Sequence, residues 1–190
     1  MNLLDETILH NEAFVVEKKY EPFITSKFPD KKLVILSCMD TRLTHMLPQA
    51  LNLKNGDAKI IKNAGAVISH PFGSIMRSII VAVYALGAEE VWIIGHHGCG
   101  MAGLEAKSVL DKSEARGINP EVIKNLHFSG ININSWLKGF ANVEDSVQHS
   151  VEMVRHHPLF PADIPVHGLV IDPGTGKLDV ITNGYENGKI

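Results

Sequence analysis

Apolar positions along the chain follow two different rhythms. Short apolar runs at 33–37, 58–62, 91–94, 166–171 and 178–182 have the length and Val/Ile/Leu content of strands, and the runs at 33–37, 91–94 and 166–171 suit strands covered on both faces. Between them the spacing turns helical. Leu3, Leu4, Ile8, Leu9, Ala13, Phe14, Val16 and Tyr20 predict a helix over 2–28, whose weaker second half is bracketed by Pro22 and Pro29. A short helical piece at 43–47 should stop near Pro48. A largely buried helix over 75–86 should start at a Ser74 cap and close at Gly87. Further helices are predicted at 101–112 and at 143–156, where Val143, Val147, Val151 and Val154 form one stripe and Glu144 and Asp145 occupy the first turn. Gly117, Pro120, Gly130 and Gly139 break any long pattern across 113–141. Asp172-Pro173-Gly174-Thr175-Gly176-Lys177 is a tight turn that returns 178–182 as an antiparallel edge strand.

Strands alternating with helices predict an α/β fold: a mostly parallel central sheet of four to five strands, flanked by helices. The expectation is a single domain over 1–190, with 1–28 as an N-terminal helical arm. Such an arm packs either on its own domain or across a partner subunit, and its pattern alone does not choose.

Composition narrows the function. The chain has 190 residues, 45% of them hydrophobic, and a net charge of −3 with histidine neutral. That balance carries no electrostatic footprint for nucleic acid, and no Lys/Arg run marks a membrane surface. No apolar stretch approaches the roughly 20 residues that span a bilayer. The first 20 residues lack an apolar signal core, which points to the cytoplasm. In a reducing compartment two cysteines with polar neighbours are metal ligands or catalytic groups more often than a disulfide.

Both cysteines close apolar runs. Cys38 follows Leu33-Val34-Ile35-Leu36-Ser37, and Cys99 follows Val91-Trp92-Ile93-Ile94-Gly95-His96-His97-Gly98. Sites in parallel sheets form beyond the carboxyl ends of strands. Cys38, the loop Asn63-Ala64-Gly65 and the His96/Cys99 cluster all follow predicted strands directly, so three loops point to one edge. Zinc favours thiolate and imidazole, and a catalytic site uses three protein ligands and keeps a fourth position open. Cys38, His96 and Cys99 supply that set, with one Zn2+ per chain. His96 is preferred to His97 because His96-x-x-Cys99 is a chelating spacing. The bland alternative is two small buried thiols, or a closed structural site completed by His97.

Asp40 and Arg42 follow Cys38 by two and four residues. Arginine's planar fork can orient a carboxylate and keep it ionised, and that carboxylate can then accept a hydrogen bond from water at the metal. Two other readings stay open: a plain salt bridge, or Asp40 itself as a fourth ligand. Two thiolates offset the charge of Zn2+, so an acceptor such as Asp40 has more to do here than beside three histidines.

Cys38-Met39-Asp40-Thr41-Arg42, Gly56-Asp57-Ala58 with Asn63-Ala64-Gly65, and Gly95-His96-His97-Gly98-Cys99-Gly100 resemble the motifs of the β-class carbonic anhydrases, in particular their compact bacterial and archaeal branch. The motifs span about 30–112. Thr41 stands where the family usually has Ser. The resemblance implies zinc-dependent reversible hydration of CO2 to bicarbonate and a proton by metal-bound hydroxide, with Asp40 and Arg42 as the catalytic pair. It implies a homodimer or a dimer-based tetramer in which N-terminal helices embrace the neighbour. Relatives of this branch hydrolyse carbonyl sulfide or carbon disulfide at the same kind of site, so that activity is an alternative, as is a non-catalytic zinc-binding protein. Met39, Val67, Ile68 and Phe72 are candidates for a dry wall around CO2, and His45, His70 and His97 for a proton shuttle.

Overall fold

The computed structural model describes residues 1–186. In chain order the elements are α1 (Leu3–Val16), β1 (Leu33–Cys38), α2 (Leu43–Ala50), β2 (Ala58–Asn63), α3 (Ser74–Leu86), β3 (Glu90–His96), α4 (Ala106–Ala115), α5 (Pro120–Phe128), α6 (Ile133–Leu137), α7 (Val143–Arg155), β4 (Val166–Ile171) and β5 (Leu178–Thr182). The strands form one sheet in the order β2-β1-β3-β4-β5. The first four are parallel and β5 returns antiparallel on β4, which is the α/β architecture the pattern predicts.

Burial explains the runs. β1 and β4 are buried at every residue, because helices cover both faces of the sheet. Val34 and Leu36 of β1 join Met76 and Ile79 of α3 and Val147, Val151 and Val154 of α7 on one face. Leu33 and Ile35 point the other way, toward Leu43 and Leu47 of α2. Each such aliphatic side chain contributes roughly 1.5–3 kcal/mol by leaving water. β2, at the edge, alternates between half-buried and exposed positions.

The valine stripe of α7 lies on β3 and β4 where those strands carry glycine. A Cβ at Gly95 would sit 2.5 Å from Cγ2 of Val143 and 2.7 Å from Cγ2 of Val147, and one at Gly168 would sit 2.8 Å from Cγ1 of Val147. Asn142 caps the helix by accepting the Asp145 N–H at 2.7 Å.

Several boundaries differ from the pattern. The first helix stops at Val16 rather than near residue 28. Lys18 takes a left-handed φ of 53°, and Glu21–Phe23 makes a separate 3-10 turn around Pro22, which supplies no N–H to a continuing helix. α2 runs through Pro48 to Ala50 at the cost of one helical hydrogen bond. The cap of α3 is Gly73, and Ser74 is its first helical residue. α4 begins at Ala106, not 101, because residues 101–104 pair with 139–140 instead: Phe140 N–H donates to the Met101 carbonyl, Gly103 N–H to the Phe140 carbonyl and Gly139 N–H to the Leu104 carbonyl. Within 113–141 the chain forms α5 and α6, capped by Asn119 and Asn132.

At the opposite end of the sheet from Cys38, His167 of β4 is locked in one tautomer. Its Nδ1 accepts the Gly184 N–H at 3.2 Å, so the ring proton sits on Nε2. Nε2 lies 3.2 Å from Glu90 Oε1, close but without hydrogen-bond geometry. Glu90 also accepts from Trp92 Nε1 at 2.6 Å and from the Tyr185 hydroxyl at 2.8 Å. Burial pushes the His167 pKa below its ordinary 6.5, against the opposing pull of Glu90.

Two predictions follow from this packing. Gly95→Ala should destabilise the fold by about 1–3 kcal/mol through overpacking against α7, read as a lower urea midpoint. The folded chain binds fewer protons at His167 than the unfolded chain does, so stability from the neutral ring is complete above about pH 6.5 and declines as pH falls through the lower folded value. Urea titrations from about pH 7.5 to about pH 5 should show that decline, and His167→Gln should flatten it.

Candidate metal centre

The carboxyl ends of β1 and β3 bring the two cysteine clusters together. Cys38 is the last residue of β1 and His96 the last of β3, and β1 pairs β3 in parallel through Ser37↔Ile94. Gly98 then takes a φ of 63°, which turns the chain back and returns Cys99 to the same place. The two sulfurs are 3.8 Å apart, far beyond a disulfide bond of about 2.05 Å. Cys38, His96 and Cys99 are all buried, and one donor atom from each lies within 4.8 Å of the others.

Backbone N–H groups support both thiols. Gly65 N–H points at Cys38 Sγ at 3.3 Å and Met101 N–H at Cys99 Sγ at 3.5 Å. Gly65 has a φ of 81°, and a Cβ there would meet Phe140 at 3.0 Å and Met101 at 3.1 Å. Burial raises the Cys38 thiol, but the attraction of the His96 imidazole and the N–H groups of Gly65 and Asp40 outweigh it and bring it down to about 7. Burial holds Cys99 above its ordinary value, and the neighbouring Cys38 adds to the rise. The Cys38 sulfur in turn raises His96.

His96 Nδ1 lies 3.0 Å from the His97 carbonyl. A carbonyl only accepts, so Nδ1 carries a proton and Nε2 offers the lone pair. That Nε2 is buried with no hydrogen-bond partner, an arrangement that costs free energy unless something else takes up the lone pair. Two soft sulfurs and an unpartnered imidazole nitrogen make a donor set that fits zinc with one coordination position left over.

Asp40 stands beside this set, its Oδ2 3.8 Å from His96 Nε2. Arg42 grips both carboxylate oxygens, with Nε at 2.9 Å from Oδ1 and Nη2 at 2.8 Å from Oδ2, and its backbone N–H reaches Oδ1 at 2.9 Å. This fork holds the Asp40 carboxyl far below the usual carboxylate range. Arg42 Nη2 also donates to the Gly98 carbonyl at 2.9 Å, tying the Cys38 loop to the Cys99 loop.

Other residues singled out from the sequence scatter. His45, His70 and His97 are exposed, and His70 Nδ1 accepts the Phe72 N–H. Ile68 belongs to the main core, Phe72 stacks near the His157 ring at 5.0 Å, and Met39 is exposed. Of the four wall candidates, Val67 and Ile68 line a cleft of about 760 Å3, together with Asn63, Ala64, Met101, Trp136 and Phe140. Phe140 and Met101, which back Gly65, were not legible: Phe140 lies in the unpatterned 113–141 stretch. Lys62 was also missed. It reads as an ordinary polar position of an edge strand, yet it hydrogen-bonds to β1 beside Cys38.

The carbonic anhydrase family model matches residues 33–178. The chain is 62% identical over 183 residues to "Putative carbonic anhydrase YvdA" of Bacillus subtilis, covering 96% of this chain and 93% of that one. The crystal structure of β-carbonic anhydrase isoform I from Trichomonas vaginalis superposes with a TM-score of 0.88 at 36% identity, covering 97% of this chain and 100% of that one. A more distant relative is the carbon disulfide hydrolase of Acidithiobacillus thiooxidans, 27% identical over 157 residues, 78% of this chain and 76% of that one. The chain belongs to the β-carbonic anhydrase family of enzymes.

The Arg42 fork predicts its own test. Arg42→Met should let the Asp40 carboxyl rise toward its ordinary value near 3.8, followed by carboxyl 13C NMR titration. A carboxyl that does not move would remove the fork as the cause.

Proposed function

We propose that this chain catalyses the zinc-dependent, reversible hydration of CO2 to bicarbonate and a proton, with Cys38, His96 and Cys99 as ligands to one Zn2+ per chain and Asp40 and Arg42 as the catalytic pair. The observation that carries this reading is the convergence of three buried donors beside a carboxylate whose oxygens are both engaged by arginine. When bound there, zinc supplies a Lewis acid that brings the pKa of a coordinated water toward about 7.

The chain's own groups do the rest. Asp40 stays ionised at any working pH, so it orients the reacting water as a hydrogen-bond acceptor and does not take its proton. Arg42 keeps that carboxylate turned away from direct coordination and steadies the Gly98 carbonyl. CO2 is small and apolar, and the Val67, Met101 and Phe140 side of the neighbouring cleft offers it an apolar wall in place of strong polar contacts.

The whole chain acts as one domain, and it works as a homodimer or a dimer-based tetramer. In support, α1 has no buried residue and presents Leu3, Leu4, Ile8, Leu9 and Val16 to solvent. Among the described residues no helix is long and apolar enough to cross a membrane. Two free buried thiols suit a reducing compartment, and the cytoplasm is the proposed location. The likeness to a carbon disulfide hydrolase favours a second reading, hydrolysis of carbon disulfide or carbonyl sulfide on the same residues.

Stopped-flow CO2 hydration against pH tests the assignment. Chelation should abolish activity and zinc should restore it, and Asp40→Asn should lower kcat/KM by about 100-fold. A zinc-loaded chain with no CO2 turnover at alkaline pH would overturn the proposal, and turnover of carbonyl sulfide or carbon disulfide in its place would establish the second reading.

A further inference from the structure

Lys62 lies on the edge strand β2 and is exposed, yet its ammonium group reaches back to the end of β1. Its Nζ donates to the Cys38 carbonyl at 3.2 Å and to the Ser37 hydroxyl at 3.2 Å. Ser37 is fully buried, and Ser37↔Lys62 are register partners, so the lysine stem covers the end of β1.

The charge around the proposed zinc ligands explains why a cation would be placed there. Two thiolates cancel Zn2+, and Asp40 adds a further negative charge. Arg42 is committed to Asp40 through a two-point fork. Lys62 is the second cation at the site, and it acts on the Cys38 side.

We propose that Lys62 is a positioning residue for the metal centre, pinning the last residue of β1 through the Cys38 carbonyl. The inference rests on the zinc reading above and goes beyond it by adding a residue that touches neither metal nor substrate. Its contribution is to metal affinity: a tethered Cys38 loses less freedom on coordination.

The test uses the full chain at fixed pH, with zinc affinity measured by competition against a chromophoric chelator and the cobalt(II) derivative followed by its thiolate charge-transfer band. Lys62→Met should bind zinc about 10-fold or more weakly and shift the cobalt band, while Lys62→Arg should stay within about 3-fold of wild type, as expected for a supporting contact to a ligand. Far-UV circular dichroism confirms folding. A folded Lys62→Met with wild-type affinity, or a Lys62→Arg that loses as much as Lys62→Met, would overturn the proposal. If Lys62→Met does not fold, Lys62→Gln takes its place with the same expectation, and wild-type affinity there overturns it equally. A wild-type chain that binds no zinc would instead sink the zinc reading itself, which keeps the two failures distinct.

Discussion

Parallel pairing between β1 and β3 is the constraint on which the site depends. Cys38 and Cys99 are 61 positions apart in the chain, and a crossover that returns β3 parallel to β1 lets the two strands end side by side at one edge. Neighbouring strands lie about 4.8 Å apart, which is the scale of a tetrahedral ligand shell. Sheet geometry therefore sets the donor spacing, and the loops only refine it. β3 extends to His96, and the positive φ at Gly98 folds Cys99 back beside Cys38.

Electrostatic balance is the second organising feature. Burial opposes a thiolate, so a backbone N–H points at each sulfur, that of Gly65 from the loop after β2 at Cys38 and that of Met101, two residues on, at Cys99. The carboxylate beside them is held by a fork that also ties two loops together. This gives a centre that is polar at the donors and closely packed behind them, where Phe140 and Met101 press on Gly65.

The frame that keeps those strand ends still is the docking of α7. Its valines enter the space left by Gly95 and Gly168, so helix and sheet approach more closely than side chains at those positions would allow. The site residues sit directly above this contact, with His96 next to Gly95. Rigid packing beneath a site is what holds donor positions to within fractions of an ångström.

The sequence alone determined a good deal. Continuous apolar runs mark strands covered on both faces because burial leaves no polar position free, and the valine stripe at 143–154 marks an amphipathic helix for the complementary reason. Cys38, Asp40, Arg42, His96 and Cys99 stand out because each polar cluster closes such a run. Boundaries were less legible. The helical spacing over 2–28 hid the stop at Val16, since local backbone choices near Lys18 and Pro22 outweigh weak periodicity in an exposed arm. Only the tertiary structure decided that 101–104 would pair with 139–140, that Phe140 would back Gly65, and that Lys62 would reach the Cys38 carbonyl. Those outcomes depend on which segments meet across long sequence separations, and residue type and spacing carry no record of that.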